Sequence, residues 1–290
     1  MIADCRIAED RAMTVQLHRD RTAVEGAELL LRHRGRATAQ LRLACETVLA
    51  DLAGRPVAQG ERVQAVLPPA PGLLREGHWD LLLATPGQEP RPLSGAGVLD
   101  TRQLLSPQRA NGPGPLLVRL PYRTGDGTLA LRVWERERHA EAGELHVAAN
   151  GTLTVNAALH GFAADAGADA GEATLELRRR GEASAGDGGA EVEGERTGAY
   201  AYRFTVTPAQ WRGGEGGEVV WDLYVRVGET ACRLGRILDD IHDKKRVLTL
   251  PSMTVPVAGS GTRRLQLRPY YTVENNLSVV TRGGSCPAGH

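Results

Sequence analysis

Apolar and polar residues alternate with a period of two along much of this chain. Leu153, Val155, Ala157 and Leu159 are separated by Thr154, Asn156 and Ala158, and Met13, Val15 and Leu17 show the same pattern. A period of two sends successive side chains to opposite faces, so each run predicts a half-buried β-strand. Asn150-Gly151 lies between two such runs, and Asn-Gly supplies the positive φ of a two-residue hairpin turn. Asp126-Gly127 and Asn275-Asn276 precede the last strand of each half and predict the same turn. Helical periodicity is weak. Residues 41–53, with Leu41, Leu43, Ala44, Val48, Leu49 and Leu52, fit a short amphipathic helix. The stretch aligned with them, Gly181–Gly194, is glycine-rich and predicts a loop, so the helix is the lesser reading.

Four blocks occur twice in the same order. Ile7-Ala8 through Met13-Thr14-Val15 matches Val147-Ala148 through Leu153-Thr154-Val155. Leu29 through Gly35 matches Leu175 through Gly181, and Trp79-Asp80-Leu81 matches Trp221-Asp222-Leu223. Leu120-Pro121-Tyr122-Arg123-Thr124 matches Arg268-Pro269-Tyr270-Tyr271-Thr272, with Leu129 on Leu277. The spacings between copies are 140, 146, 142 and 148 residues, a drift that short loop insertions produce. The fold class predicted is all-β: two tandem immunoglobulin-like antiparallel β-sandwich domains related by an internal repeat, over residues 1–138 and 143–290. Eight or nine strands are expected in each. The charged stretch Trp134–Gly143 lacks apolar periodicity and reads as the connector. Aligned on Pro-Tyr, the apolar alternation of 116–122 is one residue out of phase with 263–271. A bulge in one copy, or a slipped alignment, accounts for that.

Composition narrows the function. With 35 basic and 35 acidic residues among 290, the net charge is zero, which argues against a dedicated nucleic-acid binder. All basic residues but Lys244 and Lys245 are arginines, and with the wealth of Ala and Gly this points to a GC-rich genome. No signal peptide and no run of about 20 apolar residues is visible, so no transmembrane segment is expected. Cys5, Cys45, Cys232 and Cys286 have no Cys-x-x-Cys spacing and do not recur between the halves, which favours a reduced, cytoplasmic protein.

No nucleophile elbow, P-loop, zinc-protease helix or dinucleotide fingerprint occurs, and no catalytic residue, cofactor or metal is assigned. Gly213-Gly214-Glu215-Gly216-Gly217 precedes a strand and reads as a turn. Asp239, Asp240, His242 and Asp243 form the densest group of potential metal ligands, but Lys244, Lys245 and Arg246 follow at once and compete for the same charge, so a solvated loop is the stronger reading. Arg32 and Arg34, with Arg178, Arg179 and Arg180, form two similar cationic tips beyond core leucines. They could grip a polyanion, although charge that protects a sheet edge or turn is the heavier alternative. Trp79 and Trp221 could stack on a sugar ring, although a recurring strand tryptophan is more often a core residue. Tyr122 and Tyr270 are expected at corners beside proline, and the eight histidines on the surface or in packing.

The residues that end each copy carry a resemblance. Leu120-Pro121-Tyr122 to Leu131, Leu267-Arg268-Pro269-Tyr270-Tyr271-Thr272 through Asn275-Asn276-Leu277-Ser278-Val279, and Trp221-Asp222-Leu223-Tyr224-Val225 followed by Arg233-Leu234-Gly235 resemble the immunoglobulin-like tandem β domains C-terminal to actinobacterial glycosyltransferases and glycerophosphotransferases. The C-terminal accessory domains of wall-teichoic-acid glycosyltransferases are similar in kind. The resemblance spans most of both repeats and rests on strand-and-turn patterns. It implies an accessory module of cell-surface glycopolymer synthesis, acting through a glycosyltransferase partner, a homo-oligomer or an anionic glycopolymer. In that family catalysis belongs to a separate nucleotide-sugar domain with alternating strands and helices, a pattern this chain lacks. A second reading is a small-substrate or glycosyl transferase with its site in an interdomain cleft, drawing on Asp239, His242 and Arg178–Arg180. A third is a structural spacer.

Overall fold

The computed structural model describes residues 1–18, 26–36, 38–105, 114–162, 172–181, 189–211, 217–256 and 263–285. It is an all-β sandwich protein. Met1–Arg109 and Leu117–Glu135 form one compact unit, and Ala110–Leu116 and Arg136–His290 the other. The first half contains β1 (Ala3–Ile7), β2 (Met13–His18), β3 (Glu28–His33), β4 (Gln40–Ala44), β5 (Glu46–Val48), β6 (Arg62–Leu67), β7 (Gly77–Ala84), β8 (Arg91–Pro92), β9 (Leu99–Asp100), β10 (Leu116–Arg123) and β11 (Leu129–Arg136). The second contains β12 (His139–Val147), β13 (Leu153–His160), β14 (Ala173–Arg179), β15 (Ala190–Glu193), β16 (Glu195–Gly198), β17 (Ala201–Val206), β18 (Glu218–Val227), β19 (Thr230–Gly235), β20 (Met253–Pro256), β21 (Arg263–Tyr271) and β22 (Leu277–Ser285). Eleven strands per half among the described residues exceed the eight or nine expected, because several are only two to four residues long.

The two halves share one topology. The first stacks β5-β6-β2-β1 against β10-β11-β7-β3-β4. The second places β16-β17-β13-β12 and β21-β22-β18-β14-β15 in the same order. Registers agree: Leu31 faces Leu81 and Arg32 faces Asp80, as Leu177 faces Leu223 and Arg178 faces Asp222. In the second half β19 pairs with both β18 and β12, joining the two layers into one continuous sheet. In the first half the layers remain two sheets, with β8 paired to β7 in one and β9 to β1 in the other. The alternating apolar residues of β2 and β13 are all buried, as are Leu29 and Leu31 of β3 and Leu175 and Leu177 of β14.

The hairpin loops differ from the two-residue form expected. In the loop after β12, Gly151 N–H bonds to Ala148 O at 2.8 Å and Ala148 N–H to Thr152 O at 2.9 Å. This is a three-residue loop whose last residue takes positive φ. The loop after β1 repeats it, with Arg11 in the position of Gly151. Gly127 and Asn275 hold the same position before β11 and β22, so in the last turn the positive φ falls on Asn275, with Asn276 the residue after it.

Three other expectations change. Residues 40–48 form β4 and β5 in place of a helix, since β4 is drawn into the sheet by pairing Leu29 with Leu43 and Leu31 with Leu41. Their counterparts are β15 and β16, which places the alignment with Gly181–Gly194 too early. The charged stretch 134–143 is strand except at Glu137-Arg138: Trp134 lies in β11, which ends at Arg136, and His139 and Ala140 open β12, all three buried. The phase conflict near Pro-Tyr is a difference in burial. In β10 every residue from Leu116 to Tyr122 is buried, even and odd alike, whereas β21 is amphipathic and keeps an unbroken register with β22. Among the described residues, no helix is long and apolar enough to cross a membrane.

Candidate functional site

The cationic tips lie on interior strands: β3 runs between β7 and β4, and β14 between β18 and β15. They do not protect a sheet edge. Their charge is answered from the neighbouring strand by the aspartate that follows each repeated tryptophan. Arg34 Nε donates to Asp80 Oδ1 at 2.7 Å, and Arg180 Nη2 to Asp222 Oδ1 at 2.8 Å. Asp222 also accepts from Arg233 at 2.7 Å and from the Ser278 hydroxyl at 3.0 Å. Burial alone would raise the Asp222 pKa, but the arginines and the hydroxyl hold it below the usual carboxylate range. Arg178 bonds to Glu176 and its guanidinium lies 4.0 Å from the centre of the Tyr224 ring. Arg32 occupies the matching place in the first half, opposite Asp80.

Trp79 and Trp221 are 2% and 0% exposed, and neither presents a face to a ligand. Trp79 Nε1 donates to Arg75 O at 3.0 Å, and Trp221 Nε1 to Thr281 Oγ1 at 2.8 Å. Each indole instead receives the neighbouring tip residue: the His33 ring edge at 5.1 Å in one half and the Arg179 guanidinium at 5.6 Å in the other. The stacking-platform expectation is therefore corrected, and both tryptophans are packing residues. Tyr122 meets His78 Nδ1 at 2.8 Å through its hydroxyl.

The acidic stretch after β19 is not a solvated loop. Lys244, the first residue of a single α-helical turn (α1, Lys244–Val247), has no exposed side-chain surface. Its ammonium lies 2.6 Å from Asp239 Oδ1 and 2.9 Å from Ile241 O. Arg236 Nε and the Ile241 N–H complete the shell of Asp239, while Asn275 bridges Lys244 N–H and His242 O. Desolvation lowers the Lys244 pKa, against the pull of Asp239. The lysine thus stands where a bound cation would have to stand. Among the described residues, no group of three His, Cys, Asp or Glu side chains could hold a metal. Nearby, buried Glu141 takes the Ile237 and Leu238 amides and His139 Nε2, the last at 2.8 Å. Asp239 is paired with Lys244 and Arg236, and Arg180 with Asp222.

The cysteines offer little chemistry. Cys5, Cys45 and Cys232 are free thiols, and burial pushes Cys5 up to about 12 and Cys45 to about 11. Cys286 lies outside the described residues, as do Gly213 to Gly216 of the glycine run.

One concave polar surface is not singled out by the sequence pattern. It lies on the outer face of the first sheet of the first unit, a cleft of about 400 Å³ lined by Arg6, Arg55, Arg62 and Arg102 together with Asp4, Asp51 and Asp100. Arg62 Nη1 donates to Asp4 at 2.8 Å, Arg55 Nε to Asp51 at 2.7 Å and Arg102 Nη2 to Asp100 at 2.7 Å. Asp4 also takes His18 Nε2 at 2.6 Å and the Val98 N–H at 2.8 Å. Those partners hold its pKa down against burial, and Arg102 draws Asp100 to about 2. The sequence gives no signal for it, because the repeat blocks on either side of residues 49–61 change their spacing only from 146 to 142.

No family model matches the chain, and no curated protein matches it. Solved structures with similar arrangements include S. aureus TarS, at 10% identity over 80% of this chain and 39% of that chain, with a TM-score of 0.31. The pullulanase of Anoxybacillus sp. LM18-11 is 10% identical over 80% of this chain and 25% of its own, with a TM-score of 0.25. A marsupial T cell receptor reaches 0.23 over 99% of this chain and 92% of its own, at 9% identity. This chain thus spans about two-fifths of the length of the TarS chain and a quarter of that of the pullulanase.

Proposed function

We propose that this chain is a non-catalytic accessory or binding protein of cell-surface glycopolymer synthesis, cytoplasmic, acting through a partner transferase, a second copy of itself or an anionic polymer. The observation that carries the non-catalytic reading is the state of its acids. Asp239, the acid named in the transferase alternative, is 7% exposed and closed by Lys244 and Arg236. Asp222 and Asp4 are likewise ion-paired, with lowered pKa values. A carboxylate held ionised by fixed cations is a weak base and no acid at neutral pH. The link to glycopolymers rests on the resemblance of the strand-and-turn motifs of residues 120–131, 221–235 and 267–279 to accessory modules of that family.

Sedimentation of the full chain alone, with an anionic wall polymer and with a neutral glucan tests this reading, alongside a panel of nucleotide-sugar donors. Self-association or polymer-dependent sedimentation, without donor turnover, is expected. Turnover that is lost in Asp239→Asn, in protein that remains folded, establishes the transferase alternative instead.

A further inference from the structure

We infer that the outer face of the first sheet of the first unit is a binding groove for an oxyanion carried on a polyol or sugar, with Arg6 as its anchoring cation. This deepens the accessory reading above, on which the identity of the natural ligand rests.

Charge is the first argument. Four guanidiniums and three carboxylates line the cleft, and three of the guanidiniums are taken by the three aspartates. Arg6 is the remainder. It projects from β1, is exposed, and donates Nη1 to Leu52 O at 3.0 Å; it feels the Asp100 charge but has no carboxylate bonded to it among the described residues. Its other donors are available for a planar, bidentate grip on a phosphate or carboxylate. Arg55 and Arg102 are fixed at the rim by their aspartates and add donors to the same space.

Shape is the second argument. A shallower cavity of about 670 Å³ adjoins the cleft and shares Arg6, Asp51 and Leu52 with it, so the two form one groove. Its floor carries Thr14 and Gln64, over a buried Gln16 whose amide is bonded to Ala50 O and Arg62, and its wall carries Leu49 and Leu52. Hydroxyl and amide groups beside small apolar surface suit a polyol or a sugar ring.

The repeat supplies the third argument, as an internal control. The groove wall is the connection between β5 and β6, residues 49–61. The equivalent connection between β16 and β17 is residues 199–200 alone. The longer connection is built, not slack. Asp51 takes the Ala53 and Arg55 amides at 2.9 Å each, and Gln16 Nε2 binds Ala50 O at 2.8 Å. Two copies with one topology therefore differ most where the first unit gains a concave polar wall.

The test is titration of the ¹⁵N-labelled full chain with glycerol 3-phosphate, glucose 1-phosphate, glucuronate and, as neutral control, glucose. Saturable shifts at amides 50–55 and 98–102 are expected with the anions and not with glucose at equal concentration. The phosphate and glucuronate arms identify the oxyanion. Arg6→Gln should weaken the preferred anion about tenfold or more, the scale of a charge-assisted bond, and Arg6→Lys should weaken it less. Arg102→Gln, at an exposed rim position, should also weaken it, because it leaves Asp100 uncompensated. Absence of saturable shifts, shifts confined to the second unit, or unchanged affinity in folded Arg6→Gln overturns the inference. Polymer sedimentation that persists in Arg6→Gln places the polymer elsewhere and removes this groove while the accessory reading stands. Anion binding at the groove without self-association, partner or polymer contact retains the groove and removes that reading.

Discussion

Arg11 and Gly151 occupy the same position in equivalent hairpin loops, 140 residues apart, with φ of 71° and 83°. Only one has the residue type that this conformation favours. A left-handed backbone costs a side chain about 1–2 kcal/mol, and glycine escapes that penalty. Arg11→Gly should therefore stabilise the first unit by about 0.5–1 kcal/mol once the freer unfolded chain is counted. Gly151→Ala should destabilise the second by more than that, since its Cβ would also lie 2.7 Å from Val255 Cγ1. Chemical denaturation of the two variants checks the opposite signs.

Asp80 and Asp222 are equivalent in sequence and unequal in burial, their side chains 40% and 11% exposed. Asp80→Ala is expected to cost under about 1 kcal/mol, as exposed ion pairs do. Asp222→Ala strands Arg180, Arg233 and Ser278 together and should cost about 3 kcal/mol. Equal losses in urea unfolding would contradict this account of the tips.

The lowered pKa values of Asp222 and Asp4 give a defined acid response. Their contribution is complete above the ordinary aspartate value of 3.8 and disappears as pH falls below it through the folded values. Melting temperature should therefore fall below about pH 4, and Asp222→Asn should flatten that fall.

Lys244 gives a slope of the same sign in the alkaline range. Its folded pKa lies below the ordinary 10.5, so at alkaline pH the unfolded chain binds more protons than the folded one. Stability from this group rises as pH climbs from the folded value towards 10.5. Lys244→Met removes that slope, and at neutral pH it should cost about 3 kcal/mol by leaving Asp239 buried beside Arg236 alone. The paired change with Asp239→Leu should recover much of the loss.

All four tryptophans, at positions 79, 134, 211 and 221, are buried, none more than 3% exposed. Their emission should be blue-shifted and resistant to iodide, and saturating sugars should leave it unchanged. Quenching by a bound glycan would restore a platform role to Trp79 or Trp221.

The fold was largely legible because a two-residue period written twice states its own register: the leucines of β3 and β14 and the Trp-Asp pairs aligned without ambiguity. The turns were readable only as to place. Whether a loop has two or three residues depends on hydrogen bonds that Asn-Gly does not determine alone, and Arg11 carries no turn signal. Residues 40–48 were less legible, since Leu41 and Leu43 suit a helix face as well as a strand until β3 claims them. The phase conflict in β10 arose because alternation disappears when both faces are covered. The groove was invisible for a different reason: it is assembled from β1, the β5–β6 connection and the segment around Asp100, three places whose convergence only the sheet order reveals.

Trp134 and Ala140 are fully buried on successive strands, with Glu137-Arg138 the only non-strand residues between them. Anyone dividing this gene to express the halves separately has a seam two codons wide. A boundary drawn through the charged run upstream removes the end of β11 just after its tryptophan. One drawn downstream removes the first rung of the ladder between His139 and His160. Insoluble halves from such cuts would report a misplaced boundary and say nothing about whether either sandwich can fold alone.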